Sequence, residues 1–239
     1  MIDTHAHLDA LDEDPAAVVA RAAEAGVTRI LTVGTAQAVE IAERFENVWA
    51  IVGVHPHESA TGDIEEVRRL HEHPKAVAVG ETGLDWFRNY ATPEAQRDMF
   101  EAQLGLATEL GKPVVIHTRA ADDDTLAALA GFDGTVVLHC FSSVRLLPTA
   151  LERGWYVSFA GNATYKNAPE LRVAATQMPA ERILAETDCP YLAPQPVRGK
   201  RNEPAYVVHT VDVLAQARGE DPRELGDQID RNATACFGL

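Results

Sequence analysis

Seven side chains able to bind a metal or carry a proton stand at or beside the ends of short apolar runs. They are His5 and His7 in IDTHAH, His55 in GVHPH, Glu81 in GETGLD, His117 in VVIHTR, His139 in VVLHCF and Asp188 in ETDCP. Buried strands otherwise avoid such groups, because an unpaired buried charge or imidazole costs several kcal/mol. One metal centre would account for all of them. Residues i and i+2 of a strand point to one face, so His5 and His7 can bite one ion together. The Glu81 carboxylate has two oxygens and could bridge two cations. Each residue also has a bland reading. His5 and His7 could be an exposed pair, and Glu81 a surface residue in a Gly-rich turn. His117 and His139 could be core histidines satisfied by backbone, and Asp188 could cap the turn before Pro190. Five separate coincidences at one structural position are a poorer explanation than one site.

The elements that would position these groups alternate along the chain. Val/Ile-rich runs lie near 2–5, 28–34, 48–55, 76–81, 113–117, 135–139, 155–160 and 182–188, as expected of strands buried on both faces. Helix signals fall between them. Asp14-Pro15 opens a helix that Gly26 closes, Thr92-Pro93 opens one that Gly111 ends, Gly154 ends a third, and Asp221-Pro222 starts a short helix near the C-terminus. Eight β-then-α units in 239 residues predict an α/β fold, a (β/α)₈ TIM barrel forming a single domain over 1–239. Strand C-terminal ends converge on one mouth of such a barrel, so the metal site is expected there. The Pro-rich stretch 190–204 reads as a long loop after the eighth strand.

The composition is that of an ordinary globular protein, 46% hydrophobic and 24% charged, which excludes disordered and disulfide-scaffold classes. The net charge of −15 repels phosphate backbones at long range and argues against a broad duplex-binding face. Three cysteines without a CxxC motif fit a reducing, cytoplasmic compartment. No signal peptide or apolar run of membrane-spanning length is present, so no membrane association is expected.

Taken in order, IDTHAHLD (2–9), GVHPH (53–57), GETGLDWF (80–87), PVVIHTR (113–119), HCFSS (139–143), SFAGNATYKNA (158–168), AETDCPYLAP (185–194) and RGKRNEP (198–204) resemble the TatD family of metal-dependent deoxyribonucleases, in the amidohydrolase-like group of barrels. The tail RNATACFGL (231–239) resembles the family's ending. The resemblance implies that His5, His7, Glu81 and Asp188 hold one metal and that Glu81, His117 and His139 hold a second. It implies two divalent ions (Mg²⁺, Mn²⁺ or Zn²⁺) that activate a water, with Asp188 orienting or deprotonating it and His55 contacting substrate or protonating the leaving oxygen. Tyr191, Arg198 and Asn202, with Glu203 nearby, are implied as substrate contacts, and Arg119 as a weaker one. The implied activity is 3′→5′ hydrolysis of single-stranded DNA ends or another small phosphodiester, by a protein for which a monomer is the favoured state. The sequence departs from the family at Ser143, where Gly is usual, and is short between Asp9 and Val27.

Two other readings compete. An amidohydrolase cleaving an amide, lactone or ester would often bridge its metals with a carboxylated lysine, whereas the nearest lysine to the fourth run is Lys75, which precedes it. A non-catalytic metal-binding scaffold would leave His55 and the basic cluster RGKR at 198–201 without a purpose. Of the remaining residues, His71 and His73 are expected to be exposed, His57 to be a loop histidine and His209 structural. Cys140, Cys189 and Cys236 are expected to pack.

Overall fold

The computed structural model describes residues 1–88 and 90–239. Eight strands form one parallel sheet in strict sequence order: β1 (Ile2–Ala6), β2 (Arg29–Gly34), β3 (Val48–Val52), β4 (Ala76–Asp85), β5 (Val114–Arg119), β6 (Val136–Leu138), β7 (Tyr156–Phe159) and β8 (Ile183–Ala185). The sheet curls into a nearly closed barrel. Its seam is made by the segment after β8, where Asp188 N–H donates to His5 O and His7 N–H donates to Cys189 O, both at 2.9 Å. The eighth strand is therefore shorter than its apolar run suggests. Glu186 N–H still donates to Phe159 O of β7 at 3.0 Å, and residues 187–189 bond across to β1 instead.

Helices α1 (Pro15–Glu24), α2 (Ala36–Glu43), α3 (Ile64–Leu70), α4 (Pro93–Leu110), α5 (Asp122–Leu129), α6 (Leu147–Arg153), α7 (Pro169–Gln177) and α8 (Val207–Arg218) alternate with the strands, and α9 (Pro222–Phe237) follows. The caps lie where the sequence puts them. Asp14 accepts from Ala16 N–H, Thr92 accepts from Ala95 N–H, and Gly111 and Gly154 end their helices in the left-handed conformation. The helix begun by Asp221-Pro222 is not short: it runs 16 residues. Leu225, Ile229, Ala233 and Phe237 recur every fourth position and are buried, so one continuous face packs under the barrel.

Strand residues such as Ile30, Leu31, Ile51, Val114, Ile116 and Leu184 are fully buried. Each such side chain contributes about 1.5–3 kcal/mol of transfer free energy. The sheet register is irregular at two places that matter for the mouth. Between β1 and β2 it shifts between Asp3 and Ala6, bracketing His5; between β4 and β5 it shifts between Gly80 and Thr82, bracketing Glu81. Such irregularities re-aim a side chain. Gly83 allows β4 to approach β5 there, since a Cβ would lie 2.0 Å from the His117 carbonyl oxygen. Among the described residues, no helix is long and apolar enough to cross a membrane.

His71 departs from expectation. It is buried at the end of α3, with Nε2 3.0 Å from Val52 O and Nδ1 3.2 Å from Lys112 Nζ. Its apolar surroundings and these two partners hold it inside. His73 is half-buried and pairs with Glu43 at 3.0 Å.

Candidate metal centre

The side chain of Glu81 lies at the middle of the mouth, 4% exposed, with five imidazoles around it. Its two oxygens face different sets. Oε2 is 3.2 Å from His5 Nε2 and 3.7 Å from His7 Nε2. Oε1 is 2.6 Å from His117 Nδ1, 2.7 Å from His139 Nε2 and 3.4 Å from His55 Nε2. Asp188 adds a second carboxylate on the His5/His7 side, with Oδ1 3.5 Å from His7 Nε2 and 3.9 Å from His5 Nε2. All seven residues singled out from the sequence therefore converge. Asp188 arrives three residues beyond β8, on a backbone with φ of 55°, carried by the seam that bonds to His5.

Three groups of donor atoms lie within 4.8 Å of one another: His5, His7 and Glu81; His5, His139 and Asp188; and His55, Glu81 and His117. Imidazole and carboxylate donors in such groups suit a divalent metal. Two buried ring nitrogens, His5 Nδ1 and His117 Nε2, have no hydrogen-bond partner. The clusters can hold divalent cations. His55 stands with His117 and Glu81, and the His139 ring stacks on His5 at 4.0 Å between the two sides.

The electrostatics follow from mutual burial. Burial opposes ionisation of Glu81, but the charges of His139 and His55 and hydrogen bonds from His117 and His139 hold its carboxyl well below the usual range. Burial likewise opposes charge on His139, yet Glu81 and Glu186 raise its pKa well above the ordinary value. His7 and His117 are also raised against burial, by Asp188 and Glu81 for the first and by Asp85 and Glu81 for the second. His5 is lowered, by burial and then by the charge of His139. A cation entering these clusters displaces protons, so its affinity weakens on acidification.

A second ring of acids supports the histidines. Glu186, 1% exposed, accepts from His139 Nδ1 at 3.1 Å and from Cys140 N–H at 2.7 Å. Asp85 lies 2.8 Å from His57 Nε2 and 3.4 Å from His117 Nε2. Asp3 Oδ1 accepts from His5 N–H at 3.3 Å and from Thr187 N–H at 2.9 Å, tying β1 to the seam. The sequence reading missed all three. Glu186 and Asp85 sat inside the quoted motifs ETD and GLD, and the signal available was a second acid two or four residues from a proposed ligand.

The expected substrate contacts are placed differently from one another. Tyr191 is 59% exposed, with its ring edge-on to His7 at 6.1 Å. Arg198 is exposed and stacks over the Tyr165 ring at 4.0 Å, and Arg119 is exposed at the end of β5. Asn202 is fully buried: its amide donates to Thr187 O at 2.8 Å and to Tyr191 O at 2.5 Å. It ties the segment after β8 to the loop that carries Tyr191. Glu203 is held by Arg21 of α1 at 2.5 Å. Ser143 donates to Asp122 at the start of α5 at 2.6 Å. Lys75 lies at the opposite end of the barrel and donates to three carbonyls, those of Phe45, Glu46 and Val48, so it cannot bridge metals at the mouth. His57 is more than a loop histidine, given its bond to Asp85.

Residues 2–238 match the family described as TatD related DNase. The chain is 40% identical over 259 aligned positions to the Mycobacterium tuberculosis protein described as an uncharacterized metal-dependent hydrolase TatD, covering 100% of this chain and 98% of that one. It is 40% identical over 243 positions to the 3′-5′ ssDNA/RNA exonuclease TatD of Enterobacter lignolyticus, covering 95% of this chain and 94% of that one. Among solved structures, the TatD homolog YJJV of Escherichia coli K12 superposes with a TM-score of 0.93 at 30% identity, covering 100% of this chain and 98% of the other.

Proposed function

Since this chain belongs to the TatD family of metal-dependent hydrolases, we propose that it hydrolyses phosphodiester bonds, removing nucleotides from the 3′ ends of single-stranded DNA. In this reading residues 1–239 act as one (β/α)₈ TIM-barrel domain with its chemistry at the C-terminal mouth. The observation that carries it is the division of Glu81, whose two oxygens face two separate sets of imidazoles. A bridging carboxylate between two cations requires that division. His5, His7 and Asp188 would hold one cation with Glu81, and His117 and His139 the other. Mg²⁺, Mn²⁺ and Zn²⁺ all accept these donors, the imidazole-rich set favouring Mn²⁺ or Zn²⁺. Bound there, the pair would supply Lewis-acid stabilisation of phosphate charge and lower the pKa of water toward about 7.

The chain's own residues supply the rest. The water oxygen forms its bond to phosphorus in line with the 3′-oxygen that leaves. Asp188 takes the proton of the attacking water. Burial opposes its ionisation, but the hydrogen bond to His7 and the charges of His139 and His5 keep it below the usual range and hence ionised. His55, half-buried on the Oε1 side of Glu81, returns a proton to the leaving oxygen. Tyr191, Arg198 and Arg119 contact the strand, and Asn202 acts through the Tyr191 carbonyl. A strand end can enter a barrel mouth where a continuous duplex cannot. The substrate named for the Enterobacter lignolyticus relative supports the same class.

The test is a single-stranded oligonucleotide labelled at either end and supplied with Mg²⁺, Mn²⁺ or Zn²⁺. Stepwise loss from the 3′ end is expected. Inertness toward every phosphodiester, together with turnover of a cyclic amide or lactone, would overturn the reading.

A further inference from the structure

Two exposed aromatic side chains stand on the loop after β4, beside the metal-binding clusters. Phe87 is 58% exposed and Tyr90 67%. Tyr90 meets the His57 ring edge-on at 4.8 Å, and His57 in turn lies 4.3 Å from His55. The Arg119 guanidinium, arriving from the end of β5, stacks over the Phe87 ring at 3.9 Å, and that of Arg88 lies 5.4 Å from the same ring. The loop is fastened to the mouth through Asp85. Its Oδ1 accepts from Phe87 N–H and Arg88 N–H, both at 2.8 Å, while its Oδ2 faces His57 and His117.

The charges of Arg88 and Arg119 are uncommitted. Among the described residues neither pairs with a carboxylate, although the chain carries a net charge of −15 and arginines elsewhere, such as Arg21, Arg29 and Arg218, are taken up by acids. An apolar ring left in water gains nothing in the free protein. A ring with a guanidinium already lying on it, next to a phosphate-handling mouth, matches the combination that binds single-stranded nucleic acid: an aromatic face for a base and a cation for the backbone.

We propose that Phe87 and Tyr90 form a base-stacking shelf for a single strand, with Arg119 and Arg88 meeting the phosphate beside the stacked base. This rests on the nucleic-acid reading given above and adds to it where the strand lies: on the β4 and β5 side of the mouth. The shelf binds any base, since every base has a π-face, so little sequence preference is expected. It also explains how an acidic protein holds an anionic strand, through a few arginines at one edge and not through its overall field.

The test compares turnover of a single-stranded oligonucleotide with that of bis(p-nitrophenyl) phosphate, which is too small to span mouth and shelf. Stacking contributes about 1–3 kcal/mol per base, so Phe87→Ala should lower the ratio of oligonucleotide to small-ester kcat/KM about tenfold, mostly through KM. Phe87→Trp should restore it. Arg119→Ala should flatten the dependence of log Kd on log salt by about 0.7, the loss of one phosphate contact. A ratio unchanged in Phe87→Ala, or one that Phe87→Trp fails to restore, overturns the shelf while wild-type cleavage of the strand upholds the function. Absence of both binding and cleavage of the strand by the wild type overturns shelf and function together.

Discussion

Glu186 Oε1 lies 3.1 Å from Nδ1 of His139, and the opposite nitrogen of that ring lies 2.7 Å from Glu81. The imidazole is thus held between an outer and an inner carboxylate. The outer one fixes the tautomer, leaving Nε2 free to ligate. Cys140 N–H holds the same Glu186 oxygen at 2.7 Å, so the acid cannot swing away without stranding a backbone donor.

Glu186→Gln keeps the shape and removes the charge. Divalent-cation affinity should fall about 10–100-fold, as it does when the acid behind a ligating histidine is lost. Chelator competition would read this directly. An affinity equal to that of the wild type would reduce Glu186 to packing.

Asp85→Asn should preserve the Oδ1 bonds to Phe87 and Arg88 but place an amide where a carboxylate faces His57 and His117. Burial opposes its ionisation, yet His117 and His57 beside it hold Asp85 below the usual carboxylate range, so these partners depend on its charge. We expect oligonucleotide kcat/KM to drop at least about tenfold with a near-native melting temperature. Retained activity would show that the two histidines orient without it.

Gln103 of α4 is fully buried. Its Oε1 accepts from Val54 N–H at 2.8 Å, and its Nε2 donates to Val54 O at 3.0 Å and Thr82 Oγ1 at 2.7 Å. It therefore anchors the turn that leads from β3 to His55. Gln103→Leu would strand two buried backbone groups and should destabilise the protein by about 2–4 kcal/mol. Urea unfolding checks this, and a loss below about 1 kcal/mol would mean that water replaces the amide.

The barrel was legible because strands buried on both faces leave uninterrupted Val/Ile runs, and because Asp-Pro, Thr-Pro and Gly punctuate the helices between them. The ligand candidates were legible because polar residues end so many of these runs that one site explains them better than separate coincidences. What escaped depended on contacts between distant segments. Nothing local marks Glu186 as the partner of His139, 47 residues earlier. Gln103 reads as an ordinary polar position of an amphipathic helix. His71 lies in the charged stretch RRLHEHPK, which looks solvated, yet α3 turns that one ring inward toward Val52. The expected end of β8 at Asp188 failed for a related reason: the apolar run stops at Ala185, and Asp188 and Cys189 bond to β1 to close the seam.

His71 also sets a pH dependence of stability. Burial, then the neighbouring charge of Lys112, lowers its pKa from 6.5 to about 4 in the folded protein. The unfolded chain therefore takes up the proton first on acidification. The contribution is intact above about pH 6.5 and is lost as the pH falls toward about 4, by at most about 3 kcal/mol. His71→Gln should flatten the stability profile over that window. A profile identical to that of the wild type would mean that His71 titrates normally.

In the proposed reading, the buried carboxylate of Glu81 joins two cation-binding halves of a hydrolytic centre. The most direct measurement is metal stoichiometry together with nucleotide release from a 3′-labelled single strand, for the wild type and Glu81→Ala at matched metal concentration. Two bound divalent ions and stepwise release are expected in the wild type. In the variant at most one tightly bound ion is expected, with a rate lower by orders of magnitude. Two ions and near-normal release in Glu81→Ala would rule out the bridging role of Glu81.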